Sequence, residues 1–88
     1  MGERYAVTEV QLNANGAIGH ASYDYGENKA SALSHYHSAL ASAPVSQLIS
    51  MTVVLCVFLP NGDGYTVSET IKGTGTYTPP VEEGSEEE

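Results

Sequence analysis

Residues 28–45 read NKASALSHYHSALASAPV and form the one segment of this 88-residue chain whose pattern predicts a helix. Asn28 is a suitable N-cap, because its side-chain oxygen can accept a hydrogen bond from an amide of the first turn. Pro44 ends the segment, since its ring cannot continue the helical backbone ladder and disfavours helical geometry at Ala43. A helix of this length is marginal by itself, so we expect it to be stabilised by packing on neighbouring strands.

The predicted helix has an apolar stripe and a separate face of serines. Residues that recur at three- and four-residue steps lie on one side of a helix. The stripe consists of Ala30, Leu33, His37, Leu40 and Ala41, with Tyr36 on its border. The serine face is either solvated or, because its side chains are small, available for packing against a second helix; it consists of Ser31, Ser34, Ser38 and Ser42.

The sequence on both sides of the helix predicts strands. Residues 4–13 (RYAVTEVQLN) and 17–25 (AIGHASYDY) are joined by Asn15-Gly16, a pair that tolerates the positive φ of tight hairpin turns. Residues 65–72 (YTVSETIK) alternate cleanly and predict a last strand. Residues 47–59 (QLISMTVVLCVFL) are apolar on both faces, which is typical of a central strand that is covered on both sides. One helix covers only one face, so we expect a homo-oligomer in which a second copy covers the other.

These elements predict an α+β fold with the order β-β-α-β-β, that is, an antiparallel sheet with one helix packed on a face. We assign residues 1–72 to a single domain. From residue 73 onward (GTGTYTPPVEEGSEEE) the composition turns to Gly, Thr, Pro and Glu. Such a composition cannot bury enough apolar surface to fold, so we predict that residues 73–88 form a disordered acidic tail.

Charge and composition exclude several classes of protein. The formal net charge is −8, but five of the eleven acidic residues lie in the tail, which leaves six acidic and three basic residues before residue 82. Nucleic-acid binding requires a basic surface, so we expect no nucleic-acid partner. The longest apolar run, residues 51–59, is too short to span a bilayer, so we expect no membrane association. Cys56 is the only cysteine and lies in this run. We expect its side chain to be buried as a small hydrophobic group and the protein to reside in a reducing compartment.

The histidines and serines do not predict a catalytic or metal site. His35 and His37 lie two residues apart, and on a helix their side chains point roughly 200° apart, so they cannot chelate one ion. We expect His37 in the seam between helix and sheet and His35 exposed. The sequence contains no Gly-x-Ser-x-Gly elbow and no phosphate-binding loop with its lysine. We therefore expect a protein that is not an enzyme and has no cofactor.

A binding surface is the remaining possibility. Lys29 lies in the first turn of the predicted helix, where free amides and the helix dipole favour an anion. Tyrosine and histidine rings stack on bases and also line protein interfaces. The candidate ligand contacts are Lys29, Arg4, Tyr25, Tyr36 and His35, with Lys29 and the helix N-terminus meeting phosphate and the rings stacking on a base. The alternative is that the tyrosines are half-buried sheet residues and that Lys29 is solvated.

The pattern YHSALASAPVS at residues 36–46, following YAVTEVQLNANG, resembles small uncharacterised proteins of bacteriophages and prophages of Gram-positive gut bacteria. The resemblance runs over about residues 5–71 and implies a phage setting and the host-cell cytoplasm, but no functional residues. Two hypotheses follow. The first is a homo-oligomeric, non-enzymatic binding protein that sequesters a small anionic nucleotide-type immune signal. The second is a virion or tail-associated structural protein, or an inhibitor that binds a host protein.

Overall fold

The computed structural model describes residues 2–78 of the chain. Two strands, β1 (Arg4–Leu12) and β2 (Ile18–Gly26), are followed by helix α1 (Lys29–Ser42) and a single 3-10 turn (Ala43–Val45). Strands β3 (Ser50–Phe58) and β4 (Gly64–Lys72) complete the fold. The α+β class and the order β-β-α-β-β predicted from the sequence are confirmed.

The four strands form one antiparallel sheet in the order β2-β1-β3-β4. The turn between β1 and β2 is the predicted hairpin, in which Gly16 has a φ of +90° and donates its amide to Asn13. A bulge opposite Tyr5 and Ala6 shifts the β1–β2 register, whereas β1–β3 and β3–β4 pair without interruption. Strand β3 is therefore a central strand, as its apolar sequence predicts.

Helix α1 packs on the sheet with a different face from the one that the sequence predicts. The residues that it buries are Ala32, Tyr36 and Ala39, and Ala43 continues the same line into the 3-10 turn. Leu33 and Leu40 lie at the margin and are partly buried. Ala30, His37 and Ala41 of the predicted stripe are exposed. Alanines at the centre let the helix backbone approach the sheet closely, which explains why they, rather than the leucines, face it.

Both ends of the helix follow their sequence signals. The Oδ1 atom of Asn28 accepts a hydrogen bond from the amide of Ser31 at 3.1 Å, so the predicted N-cap is confirmed. The α-helix ends at Ser42, and Pro44 lies inside the 3-10 turn that follows. The serine face is mostly solvated, because Ser34, Ser38 and Ser42 are exposed.

The core lies between α1 and one face of the sheet. Alternate residues of β1 and β3 point to the helix and are buried, while their neighbours point to the opposite face. The buried strand residues are Tyr5, Val7, Met51, Val53, Leu55 and Val57. Within residues 2–78 no helix or strand packs on the opposite face, which we call the open face. Cys56 belongs to that face and is partly exposed, so the prediction that it is buried is wrong.

The segment after β4 makes backbone hydrogen bonds beyond residue 72. The amides of Gly73, Gly75 and Thr78 donate to carbonyl oxygens of Ile49, Leu48 and Ala14, so residues 73–78 cross the loop before β3 and reach the β1–β2 hairpin. Residues 73–78 of the predicted tail therefore contact the domain through backbone hydrogen bonds. Residues 79–88, which carry its acidic part, lie outside the described residues.

Candidate functional site

Two of the five predicted ligand contacts, Tyr25 and His35, lie together. The Tyr25 hydroxyl is hydrogen-bonded to Nδ1 of His35, which joins β2 to the helix. The other ring nitrogen of His35, Nε2, lies 2.5 Å from Oε2 of Glu9 on β1. The ring of Tyr23 meets the imidazole edge-on, with 4.5 Å between the ring centroids. We call Glu9, Tyr23, Tyr25 and His35 the histidine cluster.

The histidine cluster lies on the helix side of the sheet, beside the buried core. Glu9 follows Val7 by two residues on β1 and therefore shares the face that meets α1. The side chains of His35 and Glu9 are only 17% and 16% exposed. His35 is therefore half-buried and His37 is exposed, which reverses the sequence prediction.

Both ring nitrogens of His35 already have protein partners. With a neutral imidazole, Nε2–H donates to the Glu9 carboxylate and Nδ1 accepts from the Tyr25 hydroxyl. With a protonated imidazole, both nitrogens donate and the Tyr25 oxygen accepts. In either state the histidine cluster ties helix to sheet, and the carboxylate of Glu9 makes the surroundings of His35 unfavourable for an anionic ligand.

Tyr36 is part of the core. It is 6% exposed, and burial raises the pKa of its hydroxyl, with the negative charge of Glu69 adding to the effect. Its ring meets the His37 ring edge-on at 5.5 Å. Because the ring is packed between helix and sheet, it has no face available for stacking on a base in this chain.

Arg4 and Lys29 lie near the start of the helix and are exposed. The guanidinium group of Arg4 lies beside Gly26, whose φ of +56° is the left-handed geometry that glycine tolerates best. The amide of Ser31, in the first turn of the helix, already donates a hydrogen bond to the side-chain oxygen of Asn28. Lys29 therefore lies at the helix start, whereas Arg4 belongs by its strand register to the opposite face of the sheet, and the structure joins neither to the histidine cluster.

The open face is the second candidate site. Its two central rows come from β1 and β3 and consist of Ala6, Thr8, Val10, Leu12, Thr52, Val54, Cys56 and Phe58, with Arg4 and Ser50 at their ends. Threonine hydroxyls of these rows are hydrogen-bonded to hydroxyls of the outer strands, Thr8 to Ser22 of β2 and Thr52 to Thr70 of β4. The charged residues of the four strands that share this face, Arg4, Asp24 and Lys72, stand at its ends. Charge depletion at the centre of an apolar surface is characteristic of protein interfaces.

The open face has a hollow near one end. It has a volume of about 120 Å³ and is lined by Val10, Gln11, Leu12, Ile18, Ser50 and Thr52. The largest exposed apolar side chains of the same face are Ile18, 68% exposed, and Phe58, 56% exposed. The sequence predicts an uncovered apolar face on β3 but singles out neither residue.

Within residues 2–78, no group of three or more His, Cys, Asp or Glu side chains is arranged to hold a metal ion. Over the same residues, α1 is neither long nor apolar enough to cross a membrane. In comparisons with known proteins, no family model, curated protein or solved structure matches this chain. The resemblance to phage proteins therefore stays a prediction.

Proposed function

We propose that this chain is a small, non-enzymatic binding protein that acts as a homo-oligomer, with the open face as the contact between subunits. The observation that carries the proposal is the asymmetry of β3. Its residues Met51, Val53, Leu55 and Val57 are buried under the helix, whereas Val54, Cys56 and Phe58 point to a face that nothing within residues 2–78 covers. A strand that is apolar on both sides is typical of a sheet covered on both sides.

The open face is large enough for a stable contact. Four strands of nine residues span about 19 by 30 Å, because strands lie about 4.8 Å apart and rise about 3.3 Å per residue. The area of one open face is therefore about 570 Å², so two copies bury about 1,100 Å² in total, without the additional surface of projecting side chains. Specific interfaces exceed about 1,000 Å² in total.

The narrower hypothesis, a sequestered anionic nucleotide, keeps Lys29, Arg4, Tyr25, Tyr36 and His35 as its contacts. It has less support from the geometry, since Tyr36 is in the core and Glu9 lies against His35. Its test is the affinity of Lys29→Ala and Tyr25→Ala for a cyclic dinucleotide. Unchanged affinity in both variants would remove this site.

The alternative hypothesis is a virion or tail-associated component, or an inhibitor of a host protein. It needs a second apolar surface besides the subunit contact. Tyr65 and Val67 of β4 provide one, because they are 57% and 44% exposed on the helix side of an edge strand. Recovery of the protein in purified phage particles, or of one host protein with it, would favour this hypothesis.

Native mass spectrometry of the full chain tests the proposal directly. We expect a dimer or a multiple of it in the absence of any ligand, at micromolar protein concentration. A panel of cyclic and linear nucleotides is then added to the same sample. A stoichiometric gain in mass would support the hypothesis of a sequestered nucleotide, and no gain would favour the virion or host-protein alternative. A monomer at all concentrations would contradict the proposed oligomer.

A further inference from the structure

We infer that a second copy of the chain docks on the open face with its strands reversed, so that Phe58 of each copy fills the hollow of the other. This inference rests on the proposed oligomer and specifies its geometry. It follows from the placement of an exposed aromatic side chain and an apolar hollow at opposite ends of one uncovered face.

Phe58 is the projecting group. It is the last residue of β3, pairs with Arg4 and Gly64, and points away from the helix because Val57 before it is buried. The glycine opposite it leaves one flank of the ring without a side-chain neighbour. An aromatic side chain that is 56% exposed gains considerable free energy when a partner removes it from water.

The hollow lies at the other end of the strands. Leu12 and Ser50 pair with each other at the end opposite to the Arg4–Phe58 pair, and both line the hollow. Val10, Gln11, Ile18 and Thr52 supply the rest of its wall. Eight residues separate Ser50 from Phe58, which corresponds to about 26 Å along the strand. Phe58 therefore cannot fill the hollow of its own chain.

A two-fold axis that runs perpendicular to the strands, midway between the two sheets, allows Phe58 of each copy to reach the hollow end of the other. Rotation about it lays the Phe58 end of one sheet over the hollow end of the other, and the reverse contact forms by symmetry. Phe58 then lies over the β3 side of the hollow, which Ser50 and Thr52 line. The contact closes on itself, so the open face joins two copies and no more.

The charges of the open face are compatible with this arrangement. Val54 lies at the middle of β3 and therefore near the axis, where it meets its own counterpart. Arg4 and Asp24 lie at the Phe58 end and Lys72 at the hollow end, so the reversal places no charged residue over its own copy. The centre of the interface is formed by threonine, valine, alanine and cysteine side chains.

The first experiment compares Phe58→Ala with Tyr65→Ala by sedimentation equilibrium of the full chain. The two residues are nearly equally exposed and lie on neighbouring strands, but Tyr65 is on the helix side of the sheet. We expect Phe58→Ala to raise the dimer dissociation constant by roughly 100-fold, since two rings are lost per dimer, and Tyr65→Ala to leave it unchanged. A dimer weakened by Tyr65→Ala and not by Phe58→Ala would overturn the inference while leaving the proposed oligomer in place.

The second experiment tests the orientation with thiol cross-linking. Reversed strands place residue 52 of one copy opposite Cys56 of the second copy, at about the 10 Å separation of packed sheets. The two Cys56 side chains are then offset by about four residues along the strands. We expect a bismaleimide of matching length to cross-link Thr52→Cys dimers and not the wild-type protein. Efficient cross-linking of the wild type through Cys56 would show strands in the same direction and contradict the inference; a wild-type monomer would refute the proposed oligomer as well.

Discussion

The Nε2 atom of His35 lies 2.5 Å from Oε2 of Glu9, so a residue of helix α1 is joined to strand β1 across 26 positions of the sequence. The Tyr25 hydroxyl completes the contact on the other ring nitrogen and brings in β2. Helix α1 turns Ala32, Tyr36 and Ala39 to the sheet, with two leucines at its margins. The histidine cluster therefore supplies a polar attachment on the β2 side of the helix.

We predict that His35→Ala lowers the free energy of unfolding by about 1–2 kcal/mol. The change leaves the half-buried Glu9 carboxylate without a partner, and such a loss costs more than the net value of the hydrogen bond. His37→Ala is the matched control, since His37 is exposed on the same helix and should change stability by less than about 0.5 kcal/mol. Urea denaturation at one fixed protein concentration measures both. Equal effects would show that the histidine cluster adds nothing specific.

The face that α1 turns to the sheet gives a second prediction. Ala32 is fully buried and Ala30 is exposed, although the sequence pattern favoured Ala30. We expect Ala32→Leu to destabilise the fold by about 1–3 kcal/mol, because added methylenes in a packed seam force the helix away from the sheet. Ala30→Leu has nearly the same helix propensity and should be tolerated. Thermal unfolding of the two variants distinguishes the faces, and the opposite ranking would restore the predicted stripe.

The fold was predictable because its signals are local. Alternation on the strands, the Asn15-Gly16 turn, the Asn28 cap and Pro44 each act within a few residues and agree with one another. The face of α1 that packs on the sheet was not predictable in the same way. The segment contains several alanines and only two leucines, so two adjacent stripes are almost equally apolar. Alanine counts as weakly apolar in such a pattern, yet its small size is what permits close helix–sheet packing.

The candidate sites illustrate the same limit. The apolar residues of β3 that point to the open face lie in one continuous stretch of sequence. The sequence therefore predicts an uncovered face. Glu9 and His35 come together only through the sheet order and the position of the helix, which no local pattern encodes. Likewise, the glycines at 73 and 75 read as a disordered tail, whereas their missing side chains allow the segment to approach the loop before β3.

The docked C-terminal segment provides a third prediction. A Cβ atom at Gly75 would lie 2.2 Å from the carbonyl oxygen of Gln47, too close for any side chain. We expect Gly75→Ala to displace the segment, lower the free energy of unfolding by about 1–3 kcal/mol and speed hydrogen exchange at the Thr78 amide, which bonds to Ala14. Thr76→Ala, at an exposed position, is the control. Unchanged exchange at Thr78 in Gly75→Ala would mean that the contact is not maintained in solution.

The last prediction concerns alkaline pH. The hydrogen bond from the Tyr5 hydroxyl to Glu3, together with burial, raises the pKa of Tyr5 from its ordinary value of about 10 to about 12. Folding therefore favours the protonated form: its contribution to stability is complete below pH 10 and is lost as the pH rises from 10 to 12. We expect the unfolding free energy of the wild type to fall over this window and Tyr5→Phe, which has no hydroxyl to ionise, to fall less steeply. Urea denaturation between pH 8 and 12 measures the difference, with Tyr77→Phe as an exposed control. Parallel curves for the wild type and Tyr5→Phe would contradict the raised pKa.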